Sequence, residues 1–375
     1  MIKKVKLGDN FVSELGFGAM RFPTGADGLI DYPASQELID RCMEAGINYF
    51  DTGWFYHKGE SEVCLRKTLV ERYPRDSFYL ADKLVYGECS DPEFADKERF
   101  KVQMDRLGVE YIDYYLQHGL GEWGWKHCKD TGIDKYLFGL KDKGLIKHAA
   151  FSFHDRAEAL EIILEESAEM WTFAQLQLNY FDWKEINSEK MYEIAEKYNM
   201  PVVVMEPVRG GSLANMHPNI MDTFKKAAPD LSVASWAMRF CGSLPNVKVV
   251  LSGMTTMEQL EDNIKTFSDF KPLSDNERKV IDEIREIKLP TAGCTKCDYC
   301  AGVCPENVNI PVAFAAYDNY IMFDNPWHVK WYYDNKPAEN RADKCSSCGA
   351  CVPKCPQGLD IPELLKKVCD VVNLC

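Results

Sequence analysis

"SQELIDRCMEAGINYFD", residues 35–51, is one helix-to-strand unit, and its repetition decides the fold. Leu38, Ile39, Cys42 and Met43 recur at helical spacing, so one face of the segment is apolar, and Gly46 stands where a C-terminal cap belongs. "INYFD" (47–51) then reads as a short buried strand that ends on a charge. Working outward, the same grammar gives strands at "LGFGAM" (15–20), "FYLADK" (78–83), "IDYYLQH" (112–118), "IKHAAFS" (146–152), "FAQLQLN" (173–179), "PVVVMEP" (201–207) and "VKVVLSG" (247–253), with amphipathic stretches between them. Eight strand–helix units over about 250 residues predict an α/β fold, the (β/α)8 TIM barrel, whose active site is assembled at the C-terminal ends of the strands. A doubly wound open sheet would want a G-x-G-x-x-G turn after its first strand, and none stands there.

The pattern changes after the eighth unit. "LSDNERKVIDEIREI" (273–287) reads as a capped amphipathic helix, and "KLPTAG" ends it. The expected organisation is therefore a barrel over 1–272, a linker helix over 273–290 and a small helical and loop module over 291–375. That module carries the spacing C-x2-C-x2-C-x3-C-P twice: Cys294, Cys297, Cys300, Cys304 with Pro305, then Cys345, Cys348, Cys351, Cys355 with Pro356. This is the two-cluster ferredoxin pattern, in which three thiolates of a run hold one 4Fe-4S cluster and the fourth reaches the other cluster. Structural zinc is the alternative, but its ligands come as separated C-x2-C pairs. Between the runs, Phe314, Tyr317 and Ile321 recur at helical spacing and are expected to cover the clusters as ordinary core.

Composition narrows the function classes. With 46% hydrophobic and 27% charged residues the chain is globular, and no apolar run approaches the ~18–20 residues that span a bilayer. A formal net charge of −14 opposes a nucleic-acid backbone and an anionic membrane alike. Of the 15 cysteines, the seven outside the two runs (Cys42, Cys64, Cys89, Cys128, Cys241, Cys369 and Cys375) show no pairing rhythm, which fits a reducing cytoplasm rather than a disulfide scaffold.

If the barrel forms, four polar residues converge on its mouth: Asp51 at the end of the second strand, Tyr56 on the following loop, Lys83 ending the third strand and His118 ending the fourth. Their chemistry is coherent. A carbonyl that accepts hydride must be protonated, and a tyrosine with a pKa of about 10 needs a cation to stabilise its phenolate. Lys83 would supply the charge, Asp51 would hold Lys83, and His118 would orient the substrate oxygen. The order and strand contexts of this tetrad resemble the aldo/keto reductase family over residues 5–270, and with the tail the chain resembles that family's iron–sulfur branch.

The resemblance implies a nicotinamide cofactor and its contacts. Ser152 and Gln177 resemble the residues that hold the carboxamide, "EPVRGGSL" (206–213) with Gly210 and Gly211 resembles the loop over the pyrophosphate, and "SGMTTMEQLEDN" (252–263) resembles the helix start that receives the adenosine phosphate. Three departures stand out. Phe153 replaces an Asn, Met205 replaces the aromatic that stacks on the nicotinamide, and Gly253 and Gln259 replace a basic pair while Asn263 is kept. NADP(H) and NAD(H) both stay open. Trp54, Trp123, Trp125, Phe181 and Trp183 fall on loops of the active face, as pocket walls or as loop packing.

The expectation is thus an anaerobic-type oxidoreductase with two 4Fe-4S clusters, a small carbonyl substrate and a ferredoxin or flavodoxin as electron partner. An electron-transfer protein, flavin-linked or not, and a redox-sensing subunit on a barrel scaffold are the rival readings.

Overall fold

A computed structural model describes residues 1–85 and 92–373, without the side chains of 92–97. Cys89 and Cys375 lie outside the described residues. Ten strands occur in chain order: β1 (Lys4–Leu7), β2 (Asn10–Ser13), β3 (Leu15–Gly18), β4 (Tyr49–Asp51), β5 (Tyr79–Leu84), β6 (Ile112–Leu120), β7 (Ile146–Phe153), β8 (Ala174–Gln177), β9 (Val202–Met205) and β10 (Val247–Ser252). Strands β3 to β10 close into a parallel barrel in sequential order, β10 pairing with both β9 and β3. Each of the eight sequence-predicted strands coincides with one barrel strand.

The helix of the opening unit runs from Tyr32 to Ala45. Asp31 caps it by accepting from the Ala34 N–H, and Gly46 ends it at φ 86°, a left-handed angle that only glycine adopts without strain. Leu38, Ile39 and Cys42 are buried.

Side-chain alternation turns the barrel interior into a stack with apolar residues below and polar ones above. Tyr49, Ala81, Leu116, Ala150, Phe173, Val203 and Leu251 share one buried cluster. Two residues further along the same seven strands stand Asp51, Lys83, His118, Ser152, Gln175, Met205 and Gly253. The apolar floor is completed by the antiparallel hairpin β1–β2, whose Leu7 and Val12 join the cluster. The Tyr114 hydroxyl donates to the Leu7 carbonyl at 2.9 Å and accepts from Asn10 Nδ2 at 2.9 Å. Sequence reasoning did not find this hairpin.

The chain forms two compact units, Met1–Gly210 with Ala234–Ser274, and Gly211–Val233 with Asp275–Cys375. The first is the barrel. The second holds the helices Pro218–Ala227, Asp275–Arg285, Ile310–Phe323, Trp327–Asn335 and Ile361–Val372. Its core gathers Phe314, Tyr317, Val329, Tyr332, Leu365 and Val368 around Cys300 and Cys351, with Ile321 at its edge. The two cysteine runs repeat as backbone as well as sequence. Positive φ occurs at Lys296, Asp298 and Asn307 in the first run and at the equivalent Ser347, Gly349 and Gly358 in the second. Each run contains a 3-10 turn before its last cysteine and leads into a helix opening on Ile-Pro, at Ile310 and Ile361.

Candidate functional site

The tetrad named from the sequence does come together. Lys83 is 1% exposed; its ammonium donates to Asp51 Oδ1 in a short hydrogen bond and to the Thr52 carbonyl at 2.6 Å. The other Asp51 oxygen accepts from Gln175 Nε2 at 3.0 Å, a positioning contact that sequence reasoning missed. Gln175 was findable, since it lies two residues below Gln177 on the inward face of β8. The Lys83 ammonium sits 4.8 Å from the centre of the Tyr56 ring, and that ring meets His118 edge-on with centroids 6.1 Å apart.

These positions set the protonation states. Burial works against the Lys83 charge, but Asp51 and Tyr56 overcome it and raise its pKa above the ordinary lysine value. Burial raises the Tyr56 phenol, with Lys83 pulling in the opposite direction. His118 is pushed down to about 3, by burial first and then by Lys83 and His154. It is therefore a neutral imidazole at pH 7, and its Nδ1 is buried with no hydrogen-bond partner among the described residues. The arrangement is a protonated phenol over a fixed cation, with a neutral hydrogen-bonding group facing it.

The residues that the resemblance assigns to the nicotinamide stand on the same rim. The Gly119 N–H donates to Ser152 Oγ at 2.8 Å, which leaves the Ser152 hydroxyl proton to donate elsewhere. Gln177 Nε2 donates to Asp182 at 2.8 Å, which leaves its carbonyl to accept. A donor beside an acceptor is what a carboxamide requires, so these residues fit the group. Met205 ends β9. Gly210 and Gly211 have φ of 63° and 96°, Gly211 opening the second unit. Asn263 donates to Ser252 Oγ at 3.0 Å and braces the loop after β10. Gln259 is engaged in a capping box with Thr256: its side chain accepts from Thr255 N at 2.8 Å and Thr256 N at 3.3 Å.

Of the two expectations for the loop aromatics, Trp125, Trp183 and Trp54 follow the packing one. Trp125 is buried, edge-on to Trp171, with its Nε1 donating to Glu166 at 2.8 Å. Trp183 packs on Tyr192 and Phe240, and Trp54 lies under the Arg106 guanidinium. Helix packing claims these rings because each sits in or beside a helix that follows a strand. Phe55, not singled out before, is a second ring beside His118, with centroids 6.5 Å apart.

In the second unit the cysteines gather as two crossed sets. One cavity is lined by Cys294, Cys297 and Cys300 together with Cys355 from the other run, over a floor of Ile310, Phe314 and Ile361. Reciprocally, burial raises the Cys351 thiol, and the neighbouring Cys345, Cys304 and Cys348 raise it further. The Lys296 N–H donates to Cys294 Sγ at 3.4 Å. Among the described residues no three His, Cys, Asp or Glu side chains converge tightly enough to chelate one ion. A donor set of four thiolates spread around an apolar-floored cavity fits a cuboidal iron–sulfur cluster better than a single tetrahedral ion.

A parallel eight-stranded barrel with a buried Lys–Asp pair under a tyrosine at its C-terminal mouth, followed by a cysteine-rich module, defines an enzyme of the redox class. Residues 14–286 match the Aldo/keto reductase family, and residues 293–360 match the 4Fe-4S dicluster domain. An uncharacterized oxidoreductase of Schizosaccharomyces pombe is 30% identical over 275 residues, 70% of this chain and 83% of that protein. The uncharacterized oxidoreductase YqkF of Bacillus subtilis is 26% identical, covering 75% of this chain and 95% of its own. A holo-form aldo-keto reductase of Bacillus halodurans superposes with a TM-score of 0.61 at 26% identity, over 76% of this chain and 96% of that one. The chain belongs to the aldo/keto reductase family and is an NAD(P)-dependent oxidoreductase with a 4Fe-4S ferredoxin-type domain. Among the described residues no helix is long and apolar enough to cross a membrane.

Proposed function

We propose that this protein reduces the carbonyl of a small aldehyde or ketone in the cytoplasm, with Tyr56 as proton donor, and that its tail carries two 4Fe-4S clusters. The observation that carries the reading is the sealed Lys83–Asp51 pair beneath Tyr56, facing a neutral His118. NAD(P)H, when bound, supplies the hydride. His118 donates a hydrogen bond to the carbonyl oxygen and orients it. Tyr56 gives its phenolic proton to that oxygen, and Lys83, held by Asp51 and Gln175, stabilises the phenolate left behind. Ser152 and Gln177 hold the carboxamide of the nicotinamide, and Met205 covers a ring face with its thioether. Gly210, Gly253, Gln259 and Asn263 would shape the loops that receive the rest of the dinucleotide. Cys294, Cys297, Cys300 and Cys355 would hold one cluster, and Cys345, Cys348, Cys351 and Cys304 the other, each supplying a one-electron couple.

The test is Tyr56→Phe, which keeps the ring and removes the acid. Carbonyl reduction is expected to fall by about 100-fold or more while dinucleotide binding, followed by fluorescence titration, persists. Undiminished turnover in this variant ends the assignment.

A further inference from the structure

Arg21 was singled out by no sequence signal, yet its side chain is a cation laid across two of the loops discussed above. It follows β3 in a short turn, Ala19–Arg21, and its carbonyl accepts from Thr255 Oγ1 at 3.0 Å, which ties that turn to the loop after β10. Its stem rests on Gly253: a Cβ there would stand 3.0 Å from Arg21 Cβ, Cγ and Cδ alike. Its tip reaches Gly210, where a Cβ would stand 2.9 Å from Nη2. Two glycines, one after the seventh barrel strand and one after the eighth, thus form the bed of a single guanidinium. Loops after these two strands are where barrels of this architecture commonly build a phosphate site.

The charge is also uncommitted. Arg209, the other arginine of this rim, gives its Nε to the buried Asp182 at 3.1 Å. Arg21 makes no ion pair among the described residues, although a Glu206 oxygen lies 3.5 Å from the same point above Gly210. A planar guanidinium with free donors, held by its stem over a glycine of left-handed backbone, matches a diester bridge of two phosphates.

We propose that Arg21 grips the pyrophosphate bridge of the nicotinamide dinucleotide, and that Gly210 and Gly253 are glycines because its side chain occupies the space a Cβ would need. The proposal rests on the nicotinamide reading above. A cation on the bridge touches the part that NADH and NADPH share, so it supplies affinity without discrimination at the 2′ position, where Gly253 and Gln259 offer no charge.

The experiment is fluorescence titration of the cluster-loaded full chain with NADPH and with NADH, at low and at raised salt, for the wild type, Arg21→Gln and Arg21→Lys. Arg21→Gln is expected to weaken both dinucleotides by about 10- to 100-fold and by the same factor, and to flatten the salt dependence of binding. Arg21→Lys, which keeps a point charge but not the fork, is expected to lose less. The residue is exposed, so the melting temperature is expected to be unchanged in either variant. Equal binding by wild type and Arg21→Gln overturns the inference and leaves the nicotinamide reading intact. A loss confined to NADPH overturns it too, because the guanidinium would then serve the 2′-phosphate. Failure of the wild type to bind either dinucleotide overturns both readings.

Discussion

Lys83 is an ammonium sealed in a barrel, and its charge is tolerable only because Asp51 neutralises it and the Thr52 carbonyl completes its hydrogen bonds. Removing one partner of such a pair strands the other. Lys83→Met is therefore expected to cost about 3–5 kcal/mol by denaturant titration, and adding Asp51→Asn to recover much of that loss, since two neutral groups carry no unpaired charge. His118 gives a pH prediction. Its folded pKa lies near 3, below the roughly 6.5 of an unfolded imidazole, so between those values the unfolded chain binds the extra proton. Its contribution to stability is thus undiminished above about pH 6.5 and is lost progressively as pH falls toward 3. Catalysis should show no limb near pH 6.5, because the imidazole does not titrate there in the folded protein. A kcat/KM profile that drops with an apparent pKa of 6–7, and loses that step in His118→Asn, would place a titrating imidazole in the site instead. The tetrad was legible because each member closes a recognisable strand or follows one directly. Phe55 and Arg21 were not, because a ring beside a tyrosine and an arginine in a short turn acquire their roles only when closure of the barrel brings distant strands together.

At the scale of elements, the eight barrel strands were readable as short apolar runs, for a parallel strand is buried on both faces and need not alternate. The hairpin β1–β2 carries Lys4, Lys6 and Asn10 among its few residues, so its apolar signal is diluted below recognition. Its importance is nonetheless testable. Gly8 turns the hairpin at φ 60°, and a Cβ there would come within 2.5 Å of His148 Cε1. Gly8→Ala is expected to destabilise the barrel by about 1–3 kcal/mol, read as a lower denaturant midpoint at unchanged slope. The helix of the opening unit was legible to its C-terminal cap Gly46 but not to its N-cap Asp31, and the loop tryptophans were ambiguous: a ring after a strand can face a pocket or a neighbouring helix, and burial by partners such as Trp171 and Phe240 decided it. The cysteine runs were legible as candidate ligands from spacing alone. Their crossing was carried by the ferredoxin pattern, and the cavity shared by Cys294, Cys297, Cys300 and Cys355 now gives it a location. Anaerobically purified protein should hold about eight irons per chain, on the ferredoxin analogy. Cys355→Ser should disturb the cluster of the first run, and Cys304→Ser that of the second, distinguishable by electron paramagnetic resonance after partial reduction; stoichiometric zinc without iron would overturn the assignment.

At the scale of the whole molecule the question is why hydride chemistry and single-electron chemistry share one chain. A nicotinamide gives up two electrons together, whereas a 4Fe-4S cluster passes them singly, so direct exchange between the two requires an intermediary such as a flavin. The barrel rim described above provides hydrogen-bonding groups for a carboxamide and a carbonyl. The clusters are then expected to trade electrons with a bound substrate or with an external carrier such as a ferredoxin or a flavodoxin. A purely structural staple is the competing role, but one zinc site would close a module of this size without oxygen sensitivity. The two are separated in the full chain by mixing dithionite-reduced protein with substrate anaerobically, with and without nicotinamide, and following the cluster absorption. Redox coupling predicts reoxidation of the clusters on the timescale of turnover, and faster re-reduction when reduced low-potential ferredoxin is supplied. If the cluster spectrum stays fixed through many turnovers supported by NAD(P)H alone, the iron serves only to hold the second unit's helices together.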